Sequence, residues 1–323
     1  MKGYEAATLV GRAATLNPAM HPHGVWGVVG GAAALAVYDG ASADEIDETM
    51  RIAASLALAT SRPTMLEGAT VRNAYTGASA SNAVMARRMA RAGFTGDADA
   101  LATVFGKVVG RDWDAAALTG GLGDGWMVER GYFKRHACCR FNHAALDALG
   151  DIQVEAMFEP ESVERIEADV YALAAELDDP APQNMLAAKF SLPFALATSI
   201  RHSGDTWLGA FSGPSITDPV TCDLAARVSL KIDPEFEAAA PYRRMARVHV
   251  YLKDGRHLQA KRDFAEGDPE SPLPDDVHNA KLDRLFEIAL GDRARLARER
   301  LLNALSARDI RNLTEVFRPG DRP

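Results

Sequence analysis

Small residues constrain this chain more than any other feature, because Ala and Gly recur at helical spacing through its first third. Apolar positions three and four apart predict helices over residues 4–16, 25–39, 43–59, 78–92 and 98–105. Faces built of small side chains let helices approach one another closely. The first part of the sequence therefore predicts a tightly packed helical bundle.

The pattern changes near residue 131, where alternating apolar and polar positions replace the helical spacing. Asp254 and Gly255 lie between two such alternating runs, which is typical of a hairpin with a tight turn. Strands covered by helices indicate a small α+β unit. The predicted strands are residues 163–173, 225–232, 246–252 and 257–262, and the helices between them are residues 142–149 and 185–200.

Amphipathic helices return near the end of the chain, over residues 276–290 and 293–305. The predicted fold class is therefore mostly α with an α+β lid. Both chain ends, residues 1–132 and 275–323, are expected to form one helical domain, and residues 133–274 are expected to form the inserted lid.

Composition narrows the range of functions. The formal net charge of −8 argues against a nucleic-acid-binding protein, although a local basic pocket for an anion is compatible with it. Three Cys residues, two of them adjacent, do not make a secreted disulfide framework. With no apolar signal core near Met1, the expected location is the cytoplasm.

Five segments, in the same order along the chain, resemble the MmgE/PrpD family, which includes 2-methylcitrate dehydratase, cis-aconitate decarboxylase and iminodisuccinate epimerase. The segments are HPHGVWG (residues 21–27), GATVRN with GASA and AGFTG (68–73, 77–80 and 92–96), FKRHACC with Asn142 and His143 (133–139), AKFSLPF (188–194), and DGR through GDP to the last helices (254–256 and 267–269).

The resemblance implies a cofactor-free enzyme that removes a proton next to a carboxylate of a small substrate. Loss of water or carbon dioxide would make it a lyase, and return of the proton on the other face would make it an epimerase. Both outcomes stay open, and so does a third, a catalytically inactive subunit that binds a partner chain.

The resemblance also implies the site residues. His21 stands at a family active-site histidine, and its near-neutral pKa suits proton transfer. Lys134 and His143 match family positions at the start of the lid, and a lysine in a cleft can clamp a carboxylate or, when desolvated, act as a base. These three residues are the predicted catalytic groups, with His23 expected beside His21.

The predicted substrate-binding residues are Arg72, Arg135, Phe194 and His23. Arg72 stands where many members have Lys, so it can hold a carboxylate in bidentate fashion but is a poor proton shuttle. Phe194 stands where several members have Tyr and has no hydroxyl group. These two departures argue against methylcitrate or cis-aconitate themselves as the substrate.

No metal and no cofactor are expected. Adjacent Cys138 and Cys139 lack the paired spacing of a zinc site, and the Gly-rich stretch from Gly27 to Gly31 lacks the preceding strand of a dinucleotide site. Family members usually carry a longer stretch before Gly3. The sequence therefore favours a split enzyme, with a homodimer or a hetero-oligomer in which a second chain completes the bundle.

Overall fold

The computed structural model describes residues 1–306. Of the described residues, 55% are helical and 12% lie in strands, which confirms a mostly α chain with a smaller β component. The domain boundaries at residues 132 and 274 stay a prediction. The predicted helix over residues 293–305 lies within the described residues. The predicted C-terminal segment, residues 275–323, is described only as far as residue 306.

The helices and strands follow the order of the prediction closely. In the described part the α-helices are α1 (Lys2–Ala13), α2 (Gly27–Tyr38), α3 (Ala43–Ser55), α4 (Pro63–Leu66), α5 (Tyr75–Arg91), α6 (Ala100–Thr103), α7 (His143–Glu155), α8 (Ala172–Ala175), α9 (Met185–Ala188), α10 (Leu192–Arg201), α11 (Gly213–Ile216), α12 (Pro219–Ala225), α13 (Pro234–Ala239), α14 (Asp275–Leu290) and α15 (Ala294–Leu302). The strands are β1 (Ala14–Leu16), β2 (Gly110–Trp113), β3 (Val163–Val170), β4 (Val228–Ile232), β5 (Ala246–Leu252) and β6 (His257–Arg262).

Helix α2 is the centre of the first helical group and packs against α1, α3 and α5. The approach of α1 to α2 requires glycine, since a Cβ on Gly30 would lie 2.4 Å from the carbonyl oxygen of Gly3 and 2.6 Å from Cβ of Ala7. Val28, Val29 and Ala32 of α2 are fully buried in the core of this group. The close packing expected from small residues is confirmed here.

Several predicted helices have different ends in the structure, and two of them change to another backbone conformation there. Residues 14–16 leave the helix and pair as β1 with β2, where Thr15 lies opposite Asp112. The helix predicted over residues 98–105 stops at Thr103 and continues as a wide π turn over Val104–Val108. These ends follow from tertiary pairing, which local periodicity does not register.

The helix predicted over residues 185–200 is two helices, α9 and α10, separated at Lys189–Ser191. Pro193 cannot sit inside a helix, because it lacks an N–H and clashes with the preceding turn. It therefore lies in the first turn of α10, and Ser191 caps that turn by accepting a hydrogen bond from Phe194 N at 2.9 Å. The break turns Lys189 and Phe190 into a short connector.

The four-stranded sheet has the order β4-β3-β5-β6. Strand β3 is parallel to β4, with Ile166 opposite Val228, and antiparallel to β5, while β5 and β6 form the predicted hairpin. Val163, Ile166, Ala168 and Val170 of β3 are buried in the second core cluster, on the side where α7 packs against β5 and β6.

Helices α14 and α15 pack mainly on each other. No residue of α14 is buried, and its apolar residues Leu285 and Ile288 are exposed to solvent. Helix α15 buries only Ala297. Within residues 1–306, no helix combines the length and the apolar character needed to span a membrane.

Candidate active site

A cleft of about 630 Å³ lies where the loop before α2 and the α4–α5 connection face the segments of residues 132–141 and 186–190, with α14 along one side. We call it the cationic cleft, because eight Lys and Arg residues line it and the described part of the chain contributes no Asp or Glu to its lining. The eight are Arg62, Arg72, Lys134, Arg135, Arg140, Lys189, Arg244 and Lys281. The chain as a whole carries 44 acidic against 36 basic residues, so this concentration of positive charge is local.

Three of the eight cations are neutralised by carboxylates just outside the cleft. Arg62 pairs with Glu176, Arg135 with Glu266, and Arg140 with Asp268. The other five, which are half-buried, have no carboxylate partner among residues 1–306. The cleft therefore keeps a positive potential that an anionic ligand would neutralise.

His21 is held rigidly by its backbone in the loop before α2. Its N–H donates to the carbonyl of Thr60 at 3.0 Å, and the Thr60 hydroxyl donates back to the carbonyl of His21. The side chain is only 2% exposed, and its ring stacks on that of His23 with the centroids 4.3 Å apart. Neither ring nitrogen has a hydrogen-bond partner in the described part of the protein.

The environment keeps His21 neutral. Burial, followed by the nearby His23, Arg72 and Arg62, lowers the pKa of His21 from 6.5 to about 4. The ring therefore has a free lone pair at neutral pH and can accept a proton. An anion in the cleft would offset the neighbouring positive charge and raise that pKa again.

Arg72 connects His23 to the cleft. It lies on the 3₁₀ turn Thr70–Ala74, half-buried, with its guanidinium carbon 5.4 Å from the ring centroid of Phe190. Its Nη2 is 3.1 Å from Nε2 of His23. A guanidinium can only donate, so Nε2 accepts and His23 is neutral with its proton on Nδ1. Burial in the cleft, then Arg72 and Lys134, lowers the pKa of His23 to about 4.

Three lysines face the same space. Nζ of Lys134 donates to the carbonyl of Cys138 at 3.1 Å, and Nζ of Lys281 donates to the carbonyl of Lys134. Burial lowers the pKa of Lys281, and the charge of Lys134 lowers it further. Burial also lowers the pKa of Lys189, helped by Arg72 and Lys134. Ammonium groups that repel one another in this way favour an anion placed between them.

The structure brings five of the predicted site residues to the cleft: His21, His23, Arg72, Lys134 and Arg135. It does not bring His143 there. His143 is fully buried at the start of α7, where desolvation lowers its pKa, and its ring packs edge-on against His136 at 5.0 Å. His136 itself lines the cleft, so His143 lies behind a lining residue.

Phe194 also lies away from the cleft. It is buried on α10 against Phe211, with the ring centroids 6.3 Å apart, because the cap at Ser191 directs this part of the helix into the core of the α+β part. Phe190, four residues earlier in the connector, lines the cleft instead.

Sequence reasoning missed Lys189, Arg244 and Lys281 as cleft residues. Lys189 and Lys281 lie inside two of the family-like segments, so the signal was present, but nothing in the periodicity separates them from solvated lysines. Arg244 precedes β5 without any motif, and its guanidinium lies 6.0 Å from the ring centroid of Tyr132.

His136, two residues before Cys138, is hydrogen-bonded on both sides of its ring. Its Nε2 is 2.9 Å from Oδ1 of Asp147, and its Nδ1 contacts the Thr206 hydroxyl, so both ring nitrogens are occupied. Burial raises the pKa of both Cys138 and Cys139. Within the described residues, no group of three or more His, Cys, Asp or Glu side chains has metal-binding geometry.

Comparison with known protein families matches the sequence to one family. The MmgE/PrpD N-terminal domain matches residues 1–111, and the MmgE/PrpD C-terminal domain matches residues 136–306. The chain therefore belongs to the MmgE/PrpD family, as its five segments predict. No curated protein matches it. Membership in this dehydratase-like family supports a general assignment as an enzyme.

Proposed function

We propose that this protein is a cofactor-free lyase that abstracts a proton next to a carboxylate of a small substrate. The observation that carries the proposal is the charge of the cationic cleft, where five cations that have no carboxylate partner among residues 1–306 line the same space as two neutral histidines. A substrate with two or more carboxylates would satisfy these cations, and one side of it would face His21.

The neutral imidazole of His21 suits it to be the base. It would take the carbon-bound proton, and the electron pair would move onto the adjacent carboxylate. Arg72, Lys134 and Lys281 would stabilise the negative charge that develops there, in a cleft where partial burial strengthens the interaction. Expulsion of a β-hydroxyl group as water, with a proton from a cleft ammonium, would complete a dehydration.

A decarboxylase would use the same cations, and an epimerase would return the proton from the opposite face. Arg72 favours tight carboxylate binding over proton relay at its position, since a guanidinium stays protonated. A catalytically inactive binding subunit is the remaining alternative, and it would keep ligand affinity without turnover.

We also propose that the protein works as an oligomer, either a homodimer or a complex with a second kind of chain. Exposed apolar side chains near α1 support this, among them Leu122, Trp126 and Val128 at 56%, 38% and 42% exposure. Exposed apolar side chains that form a contiguous patch are typical of an interface, and these three lie within seven residues of one another in sequence.

A substrate screen tests the proposed reaction. Hydroxy-dicarboxylates and hydroxy-tricarboxylates would be incubated with the protein as isolated from its own cells, and products followed by proton NMR. We expect an unsaturated acid from at least one of them. Arg72→Gln should abolish turnover, whereas Arg130→Gln, which removes a 66% exposed arginine outside the cationic cleft, should not. Ligand binding without turnover of any acid would favour the inactive subunit.

A further inference from the structure

The three lysines of the cationic cleft differ in what their ammonium groups contact. Nζ of Lys134 donates to the carbonyl of Cys138 at 3.1 Å, and Nζ of Lys281 donates to the carbonyl of Lys134. Lys189 is half-buried as well, but its ammonium has no hydrogen-bond acceptor and no carboxylate partner among residues 1–306. A partly desolvated ammonium without an acceptor is costly, so this position favours the neutral amine.

The backbone of Lys189 is fixed against the segment that carries Lys134. Its N–H donates to the carbonyl of Met185 at 3.2 Å, where α9 ends, and its carbonyl accepts from Cys139 N at 2.8 Å. The connector that follows is short, since Ser191 already caps α10. The side chain of Lys189 therefore starts from a fixed point in the cleft wall.

Positive charge surrounds this amine. Burial lowers the pKa of Lys189, and the charges of Arg72 and Lys134 lower it further, whereas the Cys138 thiol acts in the opposite direction. Among the described residues no Asp or Glu lines the cleft, so no carboxylate there holds the proton on the amine. A lysine that is desolvated beside other cations is activated as a nucleophile toward carbonyl carbons.

We propose that Lys189 gives the cleft a second activity, the decarboxylation of a 3-oxo dicarboxylate through an imine between its amine and the substrate ketone. Arg72 and Lys134, which lie near the amine, bind the two carboxylates and leave the ketone to face Lys189. This inference goes beyond the proposed elimination, because it requires a ketone in the substrate and an amine as the reacting group in place of His21.

The reaction consumes no oxidant and no reductant. The neutral amine adds to the ketone carbon, and loss of water gives a protonated imine. The bond between a carboxylate and its neighbouring carbon then breaks, carbon dioxide leaves, and the electron pair moves toward the imine nitrogen to form an enamine. A proton from solvent adds to the enamine carbon, and addition of water releases a 3-oxo monocarboxylate and restores the amine.

Reductive trapping of the imine tests the proposal on the full chain. The protein would be incubated with 3-oxoglutarate and sodium cyanoborohydride, and the alkylated lysine located by peptide mass spectrometry. We expect the adduct on Lys189, together with release of carbon dioxide above the spontaneous rate. The alcohol 3-hydroxyglutarate has the same carboxylates but no ketone, so it should form no adduct and should compete with 3-oxoglutarate.

Lys189→Arg is the variant that isolates the amine, because a guanidinium keeps the positive charge but stays protonated. It should lose both the adduct and the accelerated release of carbon dioxide, and still bind 3-hydroxyglutarate in calorimetry. Lys107→Arg, which changes an exposed lysine outside the cleft, is the matched control and should behave as the wild type.

Three results would overturn the proposal. One is an adduct on Lys134 or Lys281 in place of Lys189, or no adduct at all. Another is equal trapping in the wild type and in Lys189→Arg. The third is an adduct on Lys189 without accelerated release of carbon dioxide. The proposed elimination is tested with hydroxy acids, which cannot form an imine, so its failure and the failure of this inference are observed separately.

Discussion

The buried, neutral His21 makes the stability of this protein sensitive to acid. In the unfolded chain an imidazole has a pKa of 6.5, and in the folded protein burial and the neighbouring cations lower the pKa of His21 to about 4. Between these values the unfolded chain binds a proton that the folded protein does not, so folding stability is complete above about pH 6.5 and is lost as the pH falls toward 4. For these two values linkage gives a loss of about 2 kcal/mol between pH 7.5 and pH 5 from His21 alone.

Replacement of His21 by Gln should remove this contribution. Urea unfolding at pH 7.5 and pH 5 would give the free energy of unfolding of the wild type and of His21→Gln at each pH. The loss of this free energy between the two pH values would then be compared between the proteins. We expect the acid-induced loss to be about 2 kcal/mol smaller in His21→Gln. His202→Asn, at an exposed position, is the control. An equal loss in His21→Gln and the wild type would refute the assignment of a neutral, buried His21.

Three further predictions follow from the contacts described above. Arg72→Gln should weaken succinate binding by about 1.5–3 kcal/mol in calorimetry, because it removes a charge-assisted hydrogen-bond donor, whereas Arg130→Gln should change it little. Binding of a dicarboxylate should be accompanied by proton uptake, because the bound anion raises the lowered pKa of His21. Calorimetry at pH 5.5 in buffers of different ionisation enthalpy should show this uptake in the wild type and a smaller uptake in His21→Gln. Equal uptake in both proteins would contradict the prediction. Gly30→Ala should destabilise the fold by about 2 kcal/mol or more, since its Cβ would meet Gly3 O at 2.4 Å. Gly150→Ala in α7, where a Cβ meets nothing within 4 Å, should be neutral or stabilising in thermal unfolding, and similar effects of the two changes would contradict the close approach of α1 and α2.

Periodicity was sufficient for the helices and strands that have an amphipathic or alternating face. Strand β3 alternates buried and partly exposed positions from Ile166 to Val170, and the hairpin of β5 and β6 forms around Asp254 and Gly255. It was insufficient where a partner distant in sequence decides the backbone, as for Ala14–Leu16, whose hydrogen bonds go to β2. The break before α10 was readable in principle, because Ser191 and Pro193 form a helix start.

The site could be predicted from the sequence less completely than the fold. His21, Arg72 and Lys134 were found through family-like segments, and the structure brings them together across 113 residues of sequence, from position 21 to position 134. Lys189 and Lys281 differ from solvated lysines only in being half-buried beside Lys134, which depends on tertiary structure. The inward orientation of Phe194 likewise follows from a cap three residues earlier and not from its own type.

Exchange of a carbon-bound proton for deuterium tests the central claim most directly, because proton abstraction precedes elimination and epimerisation alike. Hydroxy-dicarboxylates and hydroxy-tricarboxylates would be incubated with the protein in heavy water, and the hydrogen next to a carboxylate followed by NMR. We predict that the wild type and His202→Asn catalyse loss of that signal and that His21→Gln does not. Binding of an acid without exchange in the wild type, or unchanged exchange in His21→Gln, would contradict the account.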